Sequence, residues 1–206
     1  MTERPEIAAV IFDVGNVLYR WNPRVLHERL IDDDQALDAL LRDVVTTDWH
    51  FQHDQGRPFA ETSAELIARH PDRADLIRLW GEKFVDSVGP AVTGMPEIVR
   101  DLHGAGVALF AITNFSAEFW TPFHAREAAL FAPFRDIVVS GVEKLVKPDP
   151  AIYRLALDRF GLRAEQALFI DDRAENIVAA QAQGMYGHLF RDAAMLRREL
   201  ALLGLL

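Results

Sequence analysis

VIFDVGNVLYR, residues 10–20, starts as an uninterrupted apolar run and stops on a single carboxylate, Asp13. A strand that is apolar at successive positions has both faces covered, as in a parallel sheet sandwiched between helices. Three further runs have this character beside IAAVIF (7–12): VALFAIT (107–113), DIVVS (136–140) and ALFI (167–170), with YGHLF (186–190) a weaker fifth. Helical patterns separate them: MPEIVRDLHGAG (95–106), DPAIYRLALDRFG (149–161) and RAENIVAAQAQG (173–184), opened by proline or aspartate or closed by glycine. Strand and helix in alternation imply an α/β fold, a Rossmann-like parallel sheet with helices on both faces.

The interval from Trp21 to Val88 breaks the alternation. PRVLHERLI, DDQALDALLRDVV, FAETSAELIARH and RADLIRLWGEKFVDSV are amphipathic stretches, and no convincing strand lies among them. The expected organisation is a core of residues 1–20 and 89–206 with a helical cap, 21–88, inserted after the first strand. The run DDD (32–34) reads as an exposed loop and helix start, and Trp21, Trp49, Phe51 and Trp80 read as packing residues of the inserted helices.

Bulk properties narrow the function. The chain has 206 residues, enough for one large domain or a core with a modest insertion, and its net charge of -9 argues against a sequence-independent grip on nucleic acid or an anionic membrane. It has no cysteine, which removes a disulfide scaffold, a thiolate nucleophile and a Cys-based zinc site, and accords with a cytoplasmic protein. MTERPEIAAVIFD has too short an apolar run to read as a signal peptide, and no segment reaches the roughly 18 uninterrupted apolar residues of a membrane span. LALLGLL at the C-terminus reads as the end of an amphipathic helix.

In an open parallel sheet the ligand site lies beyond the carboxyl ends of the strands. The first strand ends at Asp13, the second at Thr113 and Asn114, the third leads into GVEKLVKPDP with Lys147, and the fourth runs into Asp171 and Asp172. Taken singly these are ordinary residues: a turn carboxylate, a turn pair, a solvated lysine, a helix cap. Together they place three carboxylates and one ammonium in one cleft. Crowded carboxylates repel, a divalent cation relieves them, and all-oxygen ligation without His or Cys favours Mg²⁺. A cation, a lysine and polar donors make a cradle for a phosphoryl group, and Asp13 is the best placed to attack it.

IFDVGNVL, ITN, KLVKPDPAIY and FIDDRAEN, in this order and with helices inserted after the first, resemble the four motifs of the haloacid dehalogenase-like (HAD) hydrolase superfamily, in its helical-cap form. The resemblance implies a phosphatase acting on a small phosphorylated metabolite. It makes Asp13 the nucleophile, Lys147 its catalytic partner, and Thr113, Asn114 and Lys147 the phosphate-holding residues. It makes Asp13, the Gly15 carbonyl and Asp172 the Mg²⁺ ligands, with Asp171 beside them in the metal site and Asn176 in support.

The chain departs from the family at Gly15, where most of its phosphatases carry a second aspartate that protonates the leaving group and then activates water. The pattern Asp-x-Gly-Asn resembles a branch that includes sugar-phosphate phosphatases such as α-D-glucose-1-phosphate phosphatase, and HFQHDQG (50–56) is similar to that branch's cap. Proton transfer must then come from the substrate, from water or from the cap, and substrates with undemanding leaving groups, anomeric 1-phosphates or acyl phosphates, are the expected ones. His53 is the candidate in the insertion for contacting substrate or protonating a leaving group. His50 and His53, one helical turn apart, have no third ligand for zinc in the sequence. Two rival functions remain: a metal-independent 2-haloacid dehalogenase, and a catalytically silent binding or regulatory protein of the same fold.

Overall fold

The computed structural model describes residues 6–206; the first five residues, which begin the expected 1–20 core segment, lie outside them. Seven strands are present among the described residues: β1 (Ala9–Phe12), β2 (Tyr19–Trp21), β3 (Val88–Ala91), β4 (Ala108–Thr113), β5 (Phe134–Val139), β6 (Ala167–Asp171) and β7 (Tyr186–Leu189). Five of them form a parallel sheet in the order β5-β4-β1-β6-β7, so the strand opened by the first apolar run is central. All four expected strands and the weaker fifth are in it.

Why the β1 sequence is apolar throughout is visible in its packing. Val10 and Phe12 enter one core cluster, Ala9 and Ile11 the other, and all four are fully buried. Successive side chains of a strand point to opposite faces, so only a strand covered on both sides needs an unbroken apolar run. Burying each large side chain contributes about 1.5–3 kcal/mol.

The helices are α1 (Arg24–His27), α2 (Asp34–Asp43), α3 (Thr47–Asp54), α4 (Phe59–Arg69), α5 (Ala74–Ser87), α6 (Met95–Gly104), α7 (Ala117–Arg126), α8 (Ala128–Phe131), α9 (Ser140–Glu143), α10 (Pro150–Phe160), α11 (Ala174–Ala182) and α12 (Ala193–Leu202). Ile98, Leu102, Leu196 and Leu200 of α6 and α12 cover one sheet face; Ile152, Ala156, Ile177 and Ala180 of α10 and α11 cover the other. Local chemistry sets their ends. Asp33 of the DDD run accepts from the backbone N–H groups of Gln35 and Ala36, Thr46 from that of Trp49, and Asp149, followed by Pro150 in the first turn, from that of Ala151. Gly161 closes α10 at φ +66°.

Helices α1 to α5 lie between β2 and β3. The strand-free expectation for 21–88 misses one feature: β2 and β3 form a two-stranded antiparallel ribbon at the borders of the insertion, pairing Tyr19 with Ala91 and Trp21 with Val88. Segments of three and four residues, one containing Pro90, carry no readable period, and their partners lie far apart in sequence. The inserted helices meet the sheet-flanking ones through aromatic rings: Phe84 of α5 stacks on Phe119 of α7 with centroids 4.5 Å apart.

Candidate active site

The carboxyl ends of β1 and β6 are neighbours because their strands pair, Phe12 opposite Ile170. The ladder extends one step further, Asp13 N–H donating to the Ile170 carbonyl at 2.8 Å, and this fixes Asp13 beside Asp171. The Lys147 ammonium lies between them, 2.7 Å from Asp13 Oδ1 and 2.8 Å from Asp171 Oδ2. Asp171 is fully buried and its oxygens are occupied: Oδ1 accepts from the Arg173 N–H at 2.9 Å, and the Asn176 amide donates to both oxygens at 3.0 Å. Asp172 is half-buried and lines the cleft.

One ammonium faces three carboxylates, and the excess of negative charge leaves its mark. Burial pushes the Asp13 carboxyl up to about 7, with Lys147 opposing and Asp171 and Asp172 adding to the rise. Burial and Asp171 also raise Asp172. Burial alone would lower the Lys147 ammonium, but Asp13 and Asp171 outweigh it and hold the charge in place. Asp13, Asp171 and Asp172 each offer an oxygen within 4.8 Å of the others. That hard-oxygen set with uncompensated charge fits a divalent cation of the Mg²⁺ kind.

The expected phosphate-holding residues divide. Thr113 is buried at the end of β4, and its hydroxyl has no hydrogen-bond partner among the described residues. Asn114 commits both ends of its amide to the main chain of Lys147: Nδ2 donates to the carbonyl at 3.0 Å and Oδ1 accepts from the N–H at 2.8 Å. Its side chain therefore positions the lysine.

A cavity of about 630 Å³ opens over these groups, walled on one side by Asp13, Gly15, Lys147 and Asp172 and on the other by α3. His53 does not reach it. It is fully buried, its Nε2 lies 2.6 Å from the Thr62 hydroxyl, and its ring packs against Trp49, Phe59 and Phe119. The expectation of a substrate contact at His53 is corrected by one residue of helical rotation, because the side chains of α3 that line the cavity include His50 and Asp54. His50 accepts from the Trp80 indole N–H at 3.2 Å, and burial lowers it to about 3, so it is neutral. The packing expectation holds for Trp49 and Trp80, which are buried, while Trp21 and Phe51 line the cavity. The Trp21 indole N–H also lacks a partner among the described residues. The sequence reading missed Asp54 and assigned Trp21 to packing, although the i, i+4 spacing of His50 and Asp54 puts both on one helix face.

Comparison with known proteins agrees with this geometry. Sesquiterpene phosphatase astK of Aspergillus oryzae is 28% identical over 198 residues, covering 90% of this chain and 90% of that protein. The fold is shared with the HAD family enzyme BT-2542 of Bacteroides thetaiotaomicron in its magnesium complex, at TM-score 0.71, 16% identity and coverage of 94% and 99% of the two chains. It is shared also with L-2-haloacid dehalogenase of Xanthobacter autotrophicus, at TM-score 0.64, 16% identity and coverage of 95% and 83%. The family model for haloacid dehalogenase-like hydrolases matches residues 7–184, and the chain belongs to that family.

Proposed function

We propose that this hydrolase is a Mg²⁺-dependent phosphatase that cleaves a small phosphorylated metabolite through an aspartyl-phosphate intermediate. The observation that carries the reading is the Asp13–Lys147–Asp171 chain with Asp172 beside it, one cation set against three carboxylates in a cleft open to substrate. A 2-haloacid dehalogenase also uses an aspartate nucleophile, but its displacement of halide gives no use for that accumulation of carboxylates. The binding-protein alternative has only Gly15 in its favour.

In the proposed reaction Asp13 attacks phosphorus in line while Lys147 and the Thr113 hydroxyl hold the non-bridging oxygens. Magnesium, held by Asp13, the Gly15 carbonyl and Asp172 with Asp171 behind them, would neutralise charge on the phosphoryl oxygens. Asn114 and Asn176 fix the lysine and Asp171, so the charged groups are oriented before substrate arrives. Residues 21–88 act as the cap that shapes the substrate pocket and excludes water.

For substrate class, the Asp-x-Gly-Asn likeness favours a sugar phosphate of the glucose-1-phosphate kind. A second reading, an apolar alcohol phosphate, is favoured by Trp21 and Phe51 in the cavity wall and by the sesquiterpene phosphatase likeness. The deciding experiment measures phosphate release from sugar, acyl and isoprenoid phosphates with Mg²⁺ and with EDTA, alongside halide release from 2-haloacids. Phosphate release that EDTA abolishes supports the phosphatase; halide release that survives EDTA replaces it with the dehalogenase.

A further inference from the structure

Position 15 carries no side chain, and nothing lies within 4 Å of where its Cβ would stand. The cleft therefore has room for an acid at that point and does not hold one there. The α3 wall does hold one. Asp54 is 7% exposed, lines the same cavity as Asp13 and Lys147, and its Oδ1 has no hydrogen-bond partner among the described residues. His50 Nε2 stands 3.7 Å from that oxygen, beyond hydrogen-bond reach, and His50 is uncharged. An unpaired buried carboxyl oxygen costs stability unless a ligand supplies the missing partner.

Asp54 is also held in place from the core. The Ser140 hydroxyl donates to the Asp54 carbonyl at 2.6 Å and accepts from the Phe115 N–H at 2.9 Å, joining the end of α3 to the loop that follows Thr113 and Asn114. This contact sets the last residue of α3 against the phosphate-holding loop, so the carboxyl keeps its place relative to the reacting centre.

We propose that Asp54 is the general acid and base of the reaction, supplying from the inserted helices the proton transfer that Gly15 cannot; the proposal rests on the phosphatase reading. As Asp13 Oδ bonds to phosphorus and the ester P–O bond breaks, the Asp54 carboxyl gives its proton to the departing alkoxide, which leaves as alcohol. The Asp54 carboxylate then takes a proton from water as the water oxygen bonds to phosphorus and the acyl-phosphate P–O bond breaks. Asp13 returns as a carboxylate and Asp54 as an acid. Burial raises Asp54 to about 8, with the Ser116 N–H and Lys147 pulling down and Asp13 pushing up, so it carries a proton at neutral pH as an acid catalyst must. The leaving-group restriction expected from Gly15 alone is thereby lifted.

The test compares wild type with Asp54→Asn, which preserves shape, on p-nitrophenyl phosphate and on an alkyl ester such as a hexose 6-phosphate. The expected result is a 10²- to 10⁴-fold fall in alkyl-ester turnover. With p-nitrophenyl phosphate, one equivalent of nitrophenolate should appear in a rapid burst, followed by slow release as the phospho-enzyme accumulates. Gly15→Asp added to Asp54→Asn should restore alkyl-ester turnover. A uniform loss on both substrates without a burst, or an alkyl-ester rate within twofold of wild type, overturns the assignment. Wild type alone gives an independent reading that needs no folded variant. Its kcat/KM should vary little across aryl and alkyl esters of rising leaving-group basicity, and a steep decline overturns Asp54 as the acid. Wild type inert on every ester overturns the phosphatase reading and this proposal with it, whereas an active wild type with an unaffected Asp54→Asn overturns this proposal alone.

Discussion

Lys147 Nζ stands 2.7 Å from Asp13 Oδ1, both groups being buried at the end of the central strand. The ammonium opposes the burial that pushes Asp13 up and so favours its charged, attacking form, and it is the one cation in direct contact with Asp13 among the described residues. Lys147→Met should therefore lower kcat by at least 10²-fold, the scale of losing one preorganised electrostatic group. It should also lower stability by about 3–5 kcal/mol, because Asp13 and Asp171 stay buried without a counter-charge. Steady-state kinetics and urea unfolding check the two effects separately; wild-type kcat in the variant would remove Lys147 from the reaction.

Asp13 and Asp172 divide the chemistry differently. Asp13→Asn should abolish phosphate release and incorporation of phosphate into protein, since the amide cannot form the acyl phosphate. Asp172→Asn should weaken Mg²⁺ binding by 10-fold or more and lower kcat at limiting Mg²⁺, with recovery as Mg²⁺ is raised. Isothermal titration with Mg²⁺ alone reads the second effect without turnover. Unchanged Mg²⁺ affinity in Asp172→Asn would take that residue out of the ligand set.

The elements that were legible in the sequence are those whose physics is local. Ala9 to Phe12 announce a strand covered on both faces, and Asp13, Lys147, Asp171 and Asp172 follow from where such strands end. Two kinds of information were not local. The Tyr19–Ala91 and Trp21–Val88 pairings join segments separated by the whole insertion, and no period within three or four residues marks them. The second is side-chain direction in α3, whose sequence TDWHFQHD buries Trp49, His50, His53 and Asp54 and so lacks one apolar face by which to orient it. Adjacent helical residues point about 100° apart. His53 thus faces Thr62 while Asp54 faces the cleft, and only the packing of α3 against Trp80, Phe84 and Phe119 decides which.

The buried histidines and Asp54 give stability a pH dependence of opposite signs. Burial lowers His50 to about 3 and His53 to about 4. The unfolded imidazoles take protons below about 6.5 that the folded ones refuse, so their contribution is lost as pH falls from there toward 4. Asp54 is raised to about 8, so the folded state keeps a proton that the unfolded carboxyl releases above about 3.9, and its contribution is lost as pH rises toward 8. Relative to Asp54→Asn, wild type should lose unfolding free energy between pH 5 and 8 and then level off, as read by urea midpoints. Parallel curves would show that the Asp54 carboxyl titrates normally. In ¹⁵N NMR spectra the His50 and His53 ring nitrogens should stay in the neutral pattern at pH 5.5.

Gly15 lines the cleft and Gly141 packs against the loop after β4, and the two carry opposite steric demands. A Cβ at Gly15 meets nothing within 4 Å, whereas one at Gly141 would stand 2.5 Å from the Ala117 nitrogen and 2.8 Å from the Phe115 carbonyl oxygen, both backbone atoms that cannot turn aside. Gly141 N–H already donates to that Phe115 carbonyl at 3.0 Å, which is why α9 lies so close to the loop after β4. Gly15→Ala should leave the melting temperature within about 2 °C of wild type, the range of a sterically neutral change. Gly141→Ala should cost about 1–3 kcal/mol, the scale of overpacking, and displace the Phe115–Ser140–Asp54 link. Alkyl-ester turnover should then fall more than release of p-nitrophenolate, because the phosphorylation step with a good leaving group needs no proton from Asp54. Equal stability of the two alanine variants would show that the α9 backbone can withdraw, and would separate the tight packing at Gly141 from the placement of Asp54.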